Sequence, residues 1–101
     1  MKNFPHATKD AIHAFVDRMN ETFAEGEDGF IKDYYIPNNG RKYQKIAQRM
    51  GSQSSVVCFI DAQGNIWKAA SWKAPALNFT RGSIFDENYG VGTAVHRFGT
   101  I

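Results

Sequence analysis

Residues 56–70 read VVCFIDAQGNIWKAA, and they carry the clearest strand signal in the chain. Residues 56–60 and 66–70 are mostly apolar, β-favouring runs, and the five residues between them include Gly64 and Asn65. Glycine and asparagine tolerate the positive φ that a tight hairpin turn requires. The pattern therefore predicts an antiparallel hairpin at the centre of the fold.

One amphipathic helix is predicted over residues 8–24. Thr8 suits the N-cap position, and Gly26 suits a stop just after the last turn. Because apolar residues recur here every three or four positions, they share one stripe of the helix surface, which we expect to pack against the sheet. The stripe consists of Ile12, Phe15, Val16, Met19 and Phe23.

Two further segments have strand character. Residues 30–36 are aromatic and end at Pro37, which favours a short strand. Residues 43–50 allow two interpretations, a short helix or a strand that places Lys45 and Arg49 on one face together with Tyr43 and Ala47. An open edge along that strand would allow a homodimer by strand addition, unless the glycine-rich tail covers it.

The length and composition favour a single domain over residues 1–101. With 43% hydrophobic residues, a chain of 101 residues can bury one modest core, which excludes a multidomain enzyme. We expect the α+β class, with the helix packed on a three- to four-stranded antiparallel sheet and the tail ordered by docking of Val91, Val95 and Phe98.

The chain has no apolar run of the ~18 residues that a membrane span needs, and no signal-peptide pattern. The single cysteine, Cys58, lies within an apolar strand run, where we expect a buried and unreactive thiol. No motif pairs a nucleophile with a base, and none marks a cofactor or metal site. These observations predict a non-enzymatic, intracellular protein without a cofactor.

The charge is unevenly distributed. Residues 1–38 hold four basic and seven acidic residues, whereas residues 39–101 hold eight basic and three acidic ones. The basic half favours an anionic partner, although the excess is mild.

Residues 68–76 read KAASWKAPA, and residues 81–82 read RG. Together with residues 43–46, 57–61 and 64–67, and with the residues that follow Gly82, this motif resembles a group of small uncharacterised accessory proteins of tailed bacteriophages. The resemblance covers roughly half of the chain. It implies a viral gene product that acts in the host bacterial cytoplasm, and it carries over no catalytic role.

The same region suggests a binding surface formed by Lys68, Trp72, Lys73 and Arg81. Nearby in the pattern are further aromatic and basic residues, Trp67, Tyr43, Lys45 and Arg49. Single-stranded nucleic acid needs cations along its phosphates and flat rings on which bases stack, and a sheet can present both. Strand alternation separates Lys68 from Trp67, so Trp67 is expected in the core, with Trp72 as the exposed ring. The sequence thus predicts binding of single-stranded or structured nucleic acid.

A host protein is the alternative partner. Residues 71–76 would then form a rigid shelf, since Trp and Arg dominate the energetics of protein interfaces. A small phage protein that inhibits or modulates a host enzyme or defence complex needs no more than such a surface. A third interpretation is that Trp72 only covers the end of the sheet among solvated lysines.

Overall fold

The computed structural model describes residues 1–26, 29–97 and 99–101 of the chain. One helix, α1 (His6–Phe23), packs against an antiparallel sheet whose strands follow one another in chain order, which confirms the predicted α+β class. The sheet strands are β1 (Asp33–Tyr35), β2 (Tyr43–Met50), β3 (Gln53–Asp61), β4 (Asn65–Lys68) and β5 (Gly82–Ser83). A 3-10 turn (Glu87–Gly90) and a two-stranded ribbon of β6 (Val95–His96) and β7 (Gly99–Thr100) complete the described chain.

The sheet has five strands rather than three or four, because Gly82–Ser83 adds a short edge strand beside β4. Residues 43–50 form a strand and not a helix. β2 lies between β1 and β3, so the expected open edge is closed at residues 47–49, where β2 pairs with β1, whereas residues 43–46 pair with β3 alone among the described strands. The homodimer stays a prediction.

The predicted hairpin is confirmed. β3 and β4 are antiparallel, with Phe59 opposite Trp67 and Ile60 opposite Ile66. The Gly64 amide donates to the Asp61 carbonyl at 3.0 Å, and Gly64 has a φ of +86°, as the turn chemistry requires. β4 ends at Lys68 because the chain folds back there, and the Ala76 amide donates to the Lys68 carbonyl at 2.7 Å.

The helix begins at His6, with Pro5 rather than Thr8 in the N-cap position. Thr8 is buried inside the first turn, and its hydroxyl donates to the Ala62 carbonyl at 2.9 Å. This bond ties the start of the helix to the turn of the central hairpin. At the other end of α1, the Asn20 side chain accepts from the Tyr34 amide and donates to the Tyr34 carbonyl, which satisfies the outer edge of β1.

The core lies between α1 and one face of the sheet. Four of the five predicted stripe residues are buried there, and Phe23 packs against the cluster partly buried. Val91 and Val95 dock as expected, whereas Phe98 lies outside the described residues. Among the described helices, none has the length and apolar character of a membrane span. Buried residues of the cluster include Ile12, Phe15, Val16, Met19, Tyr34, Ile46, Cys58, Ile60, Ile66 and Ile84.

We predict that Thr8→Val destabilises the fold. Valine keeps the shape of threonine but cannot donate to the Ala62 carbonyl, and a hydrogen bond of this kind contributes about 1 kcal/mol. For a domain of this size, Tm should fall by about 4–8 °C. Thermal unfolding measures the change, and Thr22→Val, at an exposed position of the same helix, is the matched control. Equal Tm values for the two variants would contradict the role assigned to Thr8.

Candidate functional site

The two faces of the sheet have different surroundings. The cross-strand row Gln44, Ile60 and Ile66 is fully buried, and its two isoleucines belong to the core cluster beneath α1. Strand alternation sends the neighbouring row, Lys45, Phe59 and Trp67, to the opposite face. No helix in the described ranges covers that second face. We call it the open face, and define it by Tyr35, Tyr43, Lys45, Arg49, Phe59, Trp67 and Trp72.

Three cations lie over aromatic rings on this side of the molecule. The Lys45 Nζ lies 4.2 Å from the ring centroid of Trp72, and the Arg49 guanidinium carbon lies 4.8 Å from that of Tyr35. The Lys42 Nζ lies 5.6 Å from the Tyr43 centroid. All three distances are within the range of cation–π attraction. Each positive charge is therefore held beside a flat aromatic surface.

The aromatic rings of the open face lie beside a buried apolar side chain, Phe59. Phe59 is only 4% exposed although it faces away from α1, and Tyr43 meets Trp67 edge-on with centroids 6.4 Å apart. Trp72, by contrast, is 44% exposed. Partly buried rings and one exposed ring thus share a single surface, and the buried area beneath them restricts their movement.

The Asp61 carboxylate fixes the orientation of Trp67. Its Oδ2 accepts from the Trp67 indole nitrogen at 2.9 Å and from the Asn65 amide at 3.0 Å, while its Oδ1 accepts from the backbone amides of Gln63 and Asn65. Partial burial alone would raise the pKa of Asp61, but these hydrogen bonds outweigh it, and the pKa lies below its ordinary value. Asp61 is therefore ionised at neutral pH and holds the indole ring in place.

Trp72 is presented by a tight turn after β4. The Ala74 carbonyl accepts from the amides of Ala70 and Ser71, and Ala69 pairs with Pro75 across the turn. A shallow depression of about 400 Å³ lies between this turn and β3. Its lining consists of Ser54, Ser55, Val56, Ala69, Ala70, Ser71 and Trp72.

The four predicted binding residues do not form one cluster. Trp72 lies on the open face, and Lys73 is exposed next to it in the same turn. Lys68 is exposed but alternates with Trp67, and so it projects to the opposite side of the sheet. Arg81 lies over the Phe79 ring at 3.8 Å and donates to the Phe79 carbonyl at 3.2 Å.

Three open-face residues replace Lys68 and Arg81 beside the exposed tryptophan. Lys45 and Arg49 come from β2, whose alternation already placed them together with Tyr43, and Tyr35 comes from β1. The prediction that Trp67 lies in the core is wrong, because the core side of β4 is that of Ile66, and Trp67 is half-buried on the open face. Tyr35 lies in the aromatic run that predicts a short strand, but nothing in the local sequence indicates its contact with Arg49.

Cys58 matches its expectation, since it is fully buried in the core cluster and burial raises the pKa of its thiol. Within residues 1–26, 29–97 and 99–101, no group of three or more His, Cys, Asp or Glu side chains is placed to hold a metal ion.

The fold and the open face together define a small α+β protein with a single covering helix and an aromatic, cationic sheet surface. Residues 19–94 match the sequence model of DUF7717, a family of unknown function, and the chain belongs to this family. Comparison with curated proteins gave no match, and comparison with solved structures gave none either.

We predict that the indole N–H resonance of Trp67 reports the ionisation of Asp61. The pKa of Asp61 is lower in the folded state than in the unfolded chain, where it is about 3.9. The hydrogen bonds of the ionised carboxylate therefore stabilise the fold fully above the unfolded pKa, and this stabilisation is lost as the pH falls through the folded pKa. NMR between pH 7 and the onset of acid unfolding should show the Trp67 signal shifting with a midpoint below about 3.9. Asp61→Asn should abolish this titration. A midpoint at or above the ordinary value would contradict the proposed network.

Proposed function

We propose that this protein binds single-stranded nucleic acid on its open face and catalyses no reaction. The observation that carries the proposal is the contact of Lys45 with the exposed Trp72 on a sheet face that no described helix covers. Arg49 lies over Tyr35 on the same face, where its charge is already paired with the Asp33 carboxylate. Bases stack on aromatic rings while cations neutralise the phosphates beside them, and such surfaces bind single strands with little sequence preference.

The dimensions of β2 suit a short single strand. Tyr43 and Arg49 are six residues apart on one strand, which corresponds to about 20 Å. A nucleic-acid strand that rises about 3.4 Å per nucleotide, as in a duplex, would place about six nucleotides along that length. It would place fewer if the bases are splayed apart. Bases in a duplex are already stacked on each other, and so the exposed ring of Trp72 favours unpaired bases.

The contact between Lys45 and Trp72 leaves room for a base. Lys45 lies over one side of the indole, yet 44% of Trp72 remains exposed. A base that stacks on the exposed part of the ring would bring its phosphate within reach of the Lys45 ammonium group. The charge is thus already in position when the base binds.

The sequence resemblance to accessory proteins of tailed phages supports a role in an infected bacterium. Under this proposal the protein acts in the host bacterial cytoplasm and meets single-stranded DNA or RNA there.

We predict that Lys45→Ala weakens binding of a fluorescent ten-nucleotide oligo(dT) by about three- to tenfold. It should also reduce the slope of log K against log salt by about 0.7, the value for one phosphate contact on a single strand. Anisotropy titrations at several salt concentrations measure both quantities. Lys68→Ala is the matched control, because it removes the same charge from the opposite side of the sheet.

Trp72→Ala should weaken binding by about tenfold through the loss of stacking, with the salt slope unchanged. Amide NMR spectra verify that each variant remains folded. Absence of oligonucleotide binding by the unaltered protein at low salt would refute the proposed function. Equal losses in Lys45→Ala and Lys68→Ala would refute the assignment to the open face.

We propose a host protein as the second candidate partner, on the basis of exposed apolar side chains outside the open face. Leu77, Phe79 and Phe85 are 62%, 58% and 54% exposed, and large apolar side chains of this kind often mark interfaces. A pull-down from nuclease-treated host lysate tests this function of inhibiting or modulating a host complex. A defined complex that is retained by the unaltered protein and lost with Leu77→Ser and Phe79→Ser together would favour it over nucleic acid.

A further inference from the structure

A basic cleft lies where the loop before β2 approaches the start of the chain. It has a volume of about 410 Å³, and its lining includes no carboxylate. Three of its residues are cationic, namely Lys2, Lys9 and Arg41. The remaining lining is formed by Met1, Asn39 and Gly40.

These three cations have no counter-charge in the described structure. The ion pairs found among the described residues are those of Arg18 with Glu21 and of Arg49 with Asp33. None of the hydrogen bonds described for residues 1–26, 29–97 and 99–101 uses the side chain of Lys2, Lys9 or Arg41. Neighbouring like charges repel one another, and a bound anion would remove that cost.

The backbone that carries Arg41 is held in place from inside the fold. The Gly40 amide donates to the Oε1 of Gln44 at 3.1 Å, and Gln44 is fully buried. The Gln44 side-chain nitrogen donates to the Asn38 carbonyl at 2.7 Å. A Cβ at position 40 would lie 1.8 Å from the Tyr43 carbonyl oxygen, so only glycine fits there. Lys9 lies on α1, and the cations therefore project from ordered backbone on both sides of the cleft.

Arg41 links the basic cleft to a second cleft that reaches the edge of the open face. A second cleft of about 430 Å³ shares Arg41 with the first and is also lined by Lys42 and Tyr43. Tyr43 begins β2 and contacts Trp67 on the open face. Asp61 also lines this second cleft, but its two oxygens already accept four hydrogen bonds from Gln63, Asn65 and Trp67. The two clefts thus bring Arg41 and Lys42 beside Tyr43, with the ionised Asp61 as the one carboxylate among the lining residues of the second cleft.

We infer that the basic cleft binds a phosphate monoester, supplied by the terminal phosphate of the strand on the open face. This inference rests on the proposed function. A terminal monoester carries about −1.5 to −2 charges at pH 7, against one for each internal diester, and offers three acceptor oxygens. A cluster of three cations that lacks a carboxylate selects the more highly charged group.

The experiment compares ten-nucleotide oligo(dT) carrying a 5′-phosphate, a 3′-phosphate or hydroxyls at both ends. We expect one of the phosphorylated forms to bind about tenfold more tightly than the hydroxyl form. Lys9→Ala and Arg41→Ala should each reduce this ratio at least twofold, and together they should bring it close to one. Lys68→Ala should leave the ratio unchanged. Equal affinities for all three oligonucleotides, or a ratio that does not respond to Lys9 and Arg41, would overturn the inference.

A second measurement separates this inference from the proposed function. Amide NMR titration with inorganic pyrophosphate and with thymidine monophosphate probes the cleft without a strand. If no oligonucleotide binds but pyrophosphate shifts the Lys9 and Arg41 signals, the proposed function fails while the phosphate site stands, with a free nucleotide or polyphosphate as its ligand. If neither signal shifts and the terminal phosphate has no effect, the phosphate site is refuted.

Discussion

The Asp61 carboxylate, at the end of β3, accepts hydrogen bonds from the turn and from β4, and the geometry of the central hairpin depends on it. Its bonds to the Gln63 and Asn65 amides close the turn, and its bond to the Trp67 indole holds a ring of the open face. The pairing of β3 with β4 and the position of the ring are therefore set by one group. A slip of one residue would exchange the two faces, moving Ile66 out of the core and Trp67 into it.

A second constraint is that one long helix must cover a five-stranded sheet. α1 covers a single face, and Thr8 and Asn20 anchor it to the hairpin turn and to β1. Within the part of the chain that the structure describes, no second layer of helices covers the other face, and yet Phe59 is only 4% exposed there. Lysine and tryptophan suit this face of the sheet, because their apolar parts cover the apolar surface at Phe59 while their polar ends remain in water. The amphipathic side chains that shield this face of the sheet from water thus also form the surface that can bind a ligand.

The sequence predicts those features that local pattern determines. The helix stripe and the hairpin follow from periodicity and from the glycine turn, and both are present. The fifth strand was missed, because Gly82 and Ser83 have no strand pattern and pair only where β4 offers an edge. Closeness along the chain predicts Lys68 and Arg81 beside Trp72, but strand alternation turns Lys68 to the opposite side and Arg81 lies over Phe79. Lys45 reaches Trp72 through strand pairing, whose register the local sequence does not encode.

The structure also explains the charge asymmetry of the sequence. Residues 41–49 contain Arg41, Lys42, Lys45 and Arg49 and no acidic residue, while the rest of residues 39–101 holds four basic and three acidic residues and is nearly balanced. The positive excess is therefore concentrated in β2 and in the loop that leads into it. Alternation along β2 directs Lys45 and Arg49 to the open face, and the loop directs Arg41 into both clefts. Arg49 is paired with Asp33, so the cations of this segment that have no ion pair among the described residues are Arg41, Lys42 and Lys45. The unbalanced positive charge therefore lies at the start of β2 and in the loop before it.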